Sequence, residues 1–282
     1  MAFLTILLVL FIERVLWDAA PYREHAWFSR YQAWLAGRSS ETKSGWSLAI
    51  IFVPPLLVLG WLQTSVLPAT GELLEMAFAA AVLLFSLGPR DLGRDVDTYL
   101  DARSKIGNSE SISLAQQFDP NAPVQDADRS VVRGILIGAC RRLIGPIFWF
   151  AMFGAVGAAA YRLAQLLNER YRTEPAEHPL RRAAAGLGYV LDWVPLRITA
   201  AGYAVAGNFD AVAAAWKQCS QADGDADCPN DESLLLETGY AALEQAASRP
   251  ATVLIEDSLA LVWRNLTLWV VFAGAVTLFA SL

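Results

Sequence analysis

The stretch LIGPIFWFAMFGAVGAAAY, residues 143–161, places 19 uncharged residues between Arg142 and Arg162. A helix of about 20 mostly apolar residues reaches across the hydrocarbon core of a bilayer. The small residues inside it, Gly145, Gly154, Gly157, Ala158 and Ala160, let helices approach closely. Two further runs have the same character: 28 uncharged residues lie between Lys43 and Glu72, and the last 18 run from Asn265 to Leu282. The backbone of a spanning segment must satisfy its own hydrogen bonds, so such runs are helices. The sequence predicts an all-α, polytopic integral membrane protein with four to six transmembrane helices.

Composition supports this reading. Of 282 residues, 55% are hydrophobic and only 18% charged, against about 25% charged in soluble domains. Mean hydropathy is +0.35. A disordered chain and a disulfide-dense mini-protein are excluded, and a soluble enzyme is disfavoured. A net charge of −6 gives no reason to expect nucleic acid, so the lipid bilayer is the first expected partner. Two His and three Cys leave little material for a metal centre. There is no P-loop, nucleophile elbow or zincin helix. On these residues no catalytic group, metal or cofactor is assigned.

Residues 1–88 are expected to hold membrane helices at 1–17, 44–67 and 71–88. Glu13 and Arg14 follow the first apolar run with no basic leader and no small-residue cleavage site, so a retained helix is expected rather than a signal peptide. Pro54 and Pro55 predict a kink. Residues 13–43 carry five Lys or Arg and 89–142 carry eight, whereas 63–75 carry none. The positive-inside rule therefore places the first two segments in the cytoplasm of a multi-pass membrane protein. Within the charged segment 89–142, residues 107–129 read as an exposed loop.

Residues 143–204 are expected to hold one membrane helix and then an apolar segment interrupted by Asp192 and Arg197. Residues 205–257 read as an acidic, helical extramembrane segment, with ten acids and two bases over 210–257. Residues 258–282 form the terminal membrane helix. Whether 181–204 crosses decides the side of the acidic segment. In an oxidising compartment Cys219 and Cys228 are a disulfide candidate; in the cytoplasm both stay reduced. A full crossing by 143–161 also puts Arg170, Arg172, Arg181 and Arg182 outside, against the charge rule.

Charges at membrane depth are costly and pair or line a cavity. A polar site at the membrane edge is therefore drawn from Glu13, Arg94, Asp95, Asp192 and Arg197. Gly93-Arg94-Asp95 has the makings of an anion site. Arg141 and Arg142 are candidates for an anionic lipid headgroup or a phosphorylated small molecule.

The pattern Leu7–Arg14, the segment Pro146-Ile147-Phe148-Trp149 and the run Leu191-Asp192-Trp193-Val194-Pro195-Leu196-Arg197 resemble the AmpE family of inner-membrane proteins. That family is described as modulating β-lactamase induction, and AmpE proteins in turn resemble the CobD/CbiB adenosylcobinamide-phosphate synthases of cobalamin biosynthesis. Gly93-Arg94-Asp95 is similar to the synthases' Gly-Arg-Asp-Thr motif, with Val96 in place of Thr. Gly145–Trp149, Asn168–Tyr171 and Asp192–Arg197 are similar to their later motifs. Where the synthases carry Glu-Ser-x-Ala-Glu-Asn, this chain has Gly138-Ala139-Cys140-Arg141-Arg142, and it reads Gln165-Leu166-Leu167 where they have Asn-Thr-Leu-Asp. The resemblance implies a non-catalytic membrane modulator of β-lactamase induction, cell-wall signalling and antibiotic response. The rival it implies is a membrane-embedded ligase or transferase of the synthase kind.

Overall fold

The computed structural model describes residues 2–13, 26–36, 46–66, 68, 71–88, 92–105, 108–118, 127–175, 177–221, 231–243 and 250–280. Among them the regular elements are all helical: α1 (Ala2–Phe11), α2 (Ala26–Ala36), α3 (Trp46–Trp61), α4 (Glu72–Ser86), α5 (Leu92–Lys105), α6 (Asn108–Phe118), α7 (Ala127–Ala139), α8 (Gly145–Tyr171), α9 (Pro179–Ala206), α10 (Phe209–Gln221), α11 (Asp231–Ala242) and α12 (Ala251–Ala280). Leu48–Val66, Ala127–Tyr171 and Ala251–Thr277 are long and apolar enough to cross a membrane. The chain divides into two compact units, Met1–Pro89 with Gly145–Trp193, and Arg90–Ile144 with Val194–Leu282.

In the first unit the decisive feature is a reversal inside α8. Its 27 residues would reach about 40 Å as a straight helix. At Gly154 the backbone takes φ 65° and ψ −149°, a region open essentially to glycine alone. The chain folds back there, so that residues 145–153 (α8a) run antiparallel to residues 155–171 (α8b). Gly157 lies directly on the Trp149 carbonyl, and Gly145 lies on the ring of Tyr161; a Cβ at either position would overlap its neighbour. In a straight helix Gly145 and Tyr161 would stand about 24 Å apart. The reversal also exposes the first N–H groups of α8b, and the Gln63 side-chain oxygen accepts one of them from Val156 at 3.2 Å.

This hairpin corrects the expectation that 143–161 crosses as one helix. α8b returns the chain toward the end at which α8a starts. Arg170 lies in the last turn of the returning helix, and Arg172, Arg181 and Arg182 follow it. Phe28, Leu48, Ile51, Leu163, Leu167, Leu180 and Ala184 form a buried cluster that ties α2 and α3 to α8b and α9. Pro54, inside α3, has no N–H to give the Ile50 carbonyl four residues back. The Tyr31 hydroxyl donates to that carbonyl instead, at 3.3 Å.

The second unit is built on α7, whose face from Val131 to Ala139 is buried with Tyr203, Leu235, Ile255 and Leu261. Residues 108–118, expected within an exposed loop, form α6 and pack on α7: Gly134 meets Phe118 so closely that a Cβ would collide. The terminal helix begins at Ala251 rather than at 258, and so includes Glu256 and Asp257. Its fully buried Asn265 donates to the Thr199 carbonyl of α9 at 3.2 Å.

Candidate functional site

Asp192 is the buried carboxylate of the first unit, with 3% of its surface exposed. It stands on α9 and faces α8b, where Tyr161 and Gln165, four residues apart, share one side of the helix. The Tyr161 hydroxyl donates to Asp192 Oδ1 at 2.6 Å, and the Gln165 amide donates to the same oxygen at 2.8 Å. Both donors converge on one oxygen, whose two lone pairs accept them. Tyr161 is held from behind by Gly145, whose missing side chain lets α8a lie on the phenol ring.

At the residue just before Asp192, the Trp149 indole N–H donates to the Leu191 carbonyl at 3.0 Å. Pro195 lies inside α9 and has no N–H for the carbonyl four residues back, which is that of Leu191. Trp149 supplies the missing donor. The two stretches that carry the sequence resemblance, 146–149 and 191–197, therefore meet at one carbonyl. Pro54 with Tyr31 uses the same device. Tyr161, Gln165 and Trp149 escaped the sequence reading as site residues. The usable signal was an interior proline together with the residue four places before it, which announces a carbonyl in need of a donor.

The other expected site residues fall elsewhere. Glu13, half-buried just beyond α1, belongs to the first unit, whereas Arg94, Asp95 and Arg197 belong to the second. Asp95 accepts from Arg142 at 3.1 Å. Arg141 pairs with Glu232 at 2.5 Å, and Arg133 stands 3.9 Å from the same carboxylate. Arg141 and Arg142, the residues expected to meet an anionic headgroup or phosphate, thus each face a carboxylate at ion-pair distance. Arg94 is exposed, and Val96, in the place of the synthases' Thr, is buried in the core. Cys219 lies on α10; Cys228 lies outside the described residues, and with it their pairing. Among the described residues no three His, Cys, Asp or Glu cluster as metal ligands do.

A family model described as CobD/Cbib protein matches residues 6–242. The chain is 28% identical over 195 residues to the cobalamin biosynthesis protein CobD of Stutzerimonas stutzeri, covering 64% of this chain and 60% of that protein. It is 25% identical over 208 residues to the same-named protein of Chromobacterium violaceum, covering 71% and 61%. For that of Dehalococcoides mccartyi the figures are 27% over 197 residues, covering 65% and 60%. The chain spans about three fifths of the length of the curated relatives it matches. No solved structure matches. These findings overturn the reading as an AmpE-like modulator. The matched family and all three relatives are cobalamin-biosynthesis proteins, so β-lactamase regulation, antibiotic response and cell-wall signalling are set aside.

Proposed function

The chain belongs to the CobD/Cbib family, and on that premise we propose that it is a membrane-embedded ligase or transferase of the adenosylcobinamide-phosphate synthase kind. The observation that carries the proposal is the buried Asp192, held by Tyr161 and Gln165 within the matched region. In this reading Asp192 is the general base. As an amine attacks an activated acyl group of the second substrate, the new C–N bond forms, the bond from the acyl carbon to its leaving group breaks and the leaving group takes the electron pair, and the amine's proton passes to the Asp192 carboxylate. Tyr161 and Gln165 orient that carboxylate, and Trp149 fixes the turn of α9 that presents it.

The experiment is complementation of a strain lacking adenosylcobinamide-phosphate synthase, with membrane levels of the chain measured in parallel. The native sequence is expected to restore cobalamin-dependent growth. Asp192→Asn keeps the hydrogen-bonding shape and removes the base, so turnover is expected to fall by about 10²–10⁴-fold. A membrane-inserted native chain that fails to rescue would refute the reading, as would an Asp192→Asn chain that rescues equally well.

A further inference from the structure

The short helix α2 carries a surface that the packing of the first unit leaves open. Its sequence is AWFSRYQAWLA, and successive residues of a helix turn by about 100°. Trp27, Tyr31 and Trp34 therefore share one flank, and Ser29 and Ala33 lie roughly opposite. Between the two flanks, on one side, Phe28 turns inward. It is 2% exposed and packs in the cluster of Leu48 and Ile51 of α3, Leu167 of α8b and Leu180 of α9. On the other side Arg30 points outward and is exposed. Trp27 and Trp34 keep 50% and 56% of their surface exposed. The rings of Tyr31 and Trp34 stack at 6.4 Å, so the flank is a preformed aromatic platform.

We propose that α2 is an interfacial helix that docks this aromatic flank onto the boundary between lipid headgroups and acyl chains. Its level in the first unit commits the surface to lipid. Leu48 opens the span Leu48–Val66, and Leu180 is the second residue of α9, so Phe28 is anchored where two helices begin. The Tyr31 hydroxyl, bonded to the Ile50 carbonyl at 3.3 Å, fixes the same level. Trp27 faces Pro55 and Leu59 of α3 across an apolar cavity. Leu59 lies about 16 Å along the helix from Leu48, so the aromatic flank is turned toward the deeper part of the span. Trp and Tyr favour this boundary because each joins an apolar ring to a polar N–H or O–H. A polar flank of small residues with a basic residue beside it completes the pattern of a helix lying on a membrane. The proposal is independent of the reaction assigned to Asp192.

The test uses the full chain in vesicles of phosphatidylethanolamine and phosphatidylglycerol. A nitroxide is attached to one introduced cysteine at a time, with the native chain labelled in parallel as background. Power-saturation electron paramagnetic resonance compares relaxation by oxygen, which concentrates in hydrocarbon, with relaxation by a water-soluble nickel chelate. Labels at Trp27→Cys and Trp34→Cys should respond mainly to oxygen, and the label at Ala33→Cys mainly to nickel. The oxygen-to-nickel ratio should thus be severalfold higher on the aromatic flank. If Trp27→Cys fails to insert, Trp34→Cys decides in its place. A nickel response on the aromatic flank equal to that at Ala33 would put the flank in water and overturn the proposal. Weak responses to both reagents at the tryptophan positions would mean that protein covers the flank, and would overturn it too. So would an oxygen response at Ala33 as strong as at Trp27, which would bury the whole helix in hydrocarbon.

Discussion

Replacing Trp149 by Phe keeps an aromatic ring between Phe148 and Phe153, which it touches at centroid distances of 5.3 and 5.7 Å, but removes the indole N–H. The Leu191 carbonyl then loses its donor, because Pro195 supplies none. An unsatisfied buried polar group costs about 1–3 kcal/mol, so Trp149→Phe should destabilise the protein by about 2 kcal/mol. The reasoning makes a sharper claim about Pro195→Ala. That change restores a backbone N–H four residues after Leu191 and can recover part of the roughly 3 kcal/mol that proline costs in a helix interior. In the Pro195→Ala background the indole is no longer needed, and Trp149→Phe should cost only its packing loss, under about 1 kcal/mol. Unfolding by denaturing detergent, followed by circular dichroism for the native chain, both single variants and the double variant, measures the coupling. A Trp149→Phe cost that is the same in both backgrounds would refute the account.

Gly154→Ala should destabilise the protein by about 1–3 kcal/mol, since φ 65° with ψ −149° suits glycine and the new Cβ would press on the Gln63 amide; an unchanged melting temperature in detergent would mean that α8 does not reverse there. The hairpin has a topological consequence: cysteines at the exposed positions Ser65 and Thr173 should be labelled by impermeant thiol reagents from opposite faces of the membrane, Thr173→Cys from the cytoplasm. Labelling of both from one face would sink that topology. Burial raises the pKa of the Tyr99 hydroxyl above 10.0, with Arg103 pulling it partly back. Because the folded state holds this proton more tightly than the unfolded one, its contribution is complete below about pH 10 and is lost as pH rises through the raised value. Tyr99→Phe should flatten that alkaline loss of stability, at the expense of the 2.7 Å hydrogen bond to Asp128; an identical alkaline slope would count against it.

The contrast between what could be read in advance and what could not is clearest in α8. Hydropathy over 143–161 announces a membrane helix, because solvent preference is a property of composition summed along a window. The direction of that helix rests on one pair of dihedral angles at Gly154, and a glycine in an apolar run reads equally well as a site of close helix packing. The helix α6 was hidden for a related reason. Its polar residues suit a loop, and the packing of Leu114, Ala115 and Phe118 on the second unit's core, with Phe118 against Gly134 of α7, makes the helical state of 108–118 worth its ordering entropy.

Asp192 was legible as a problem, since a carboxylate in an apolar stretch demands a partner. Its hydrogen-bond donors were not legible, for they lie 31 and 27 residues away and come into range only once α8b and α9 pair. The sequence reading sought charged partners such as Arg197 and Glu13 and passed over a tyrosine and a glutamine that a soluble protein would use without comment. The partners of Arg141 and Arg142 were as remote in sequence. Two adjacent cations read locally as an open anion site, yet Glu232, 91 residues away, and Asp95, 47 away, face them in the folded unit. Composition and spacing thus determine the solvent in which each segment is stable and the places where that solvent is violated, because transfer free energy is local to the residue. Which groups relieve each violation depends on distances between segments remote in sequence, and those exist only after the glycine turn and the close helix contacts have set the backbones side by side.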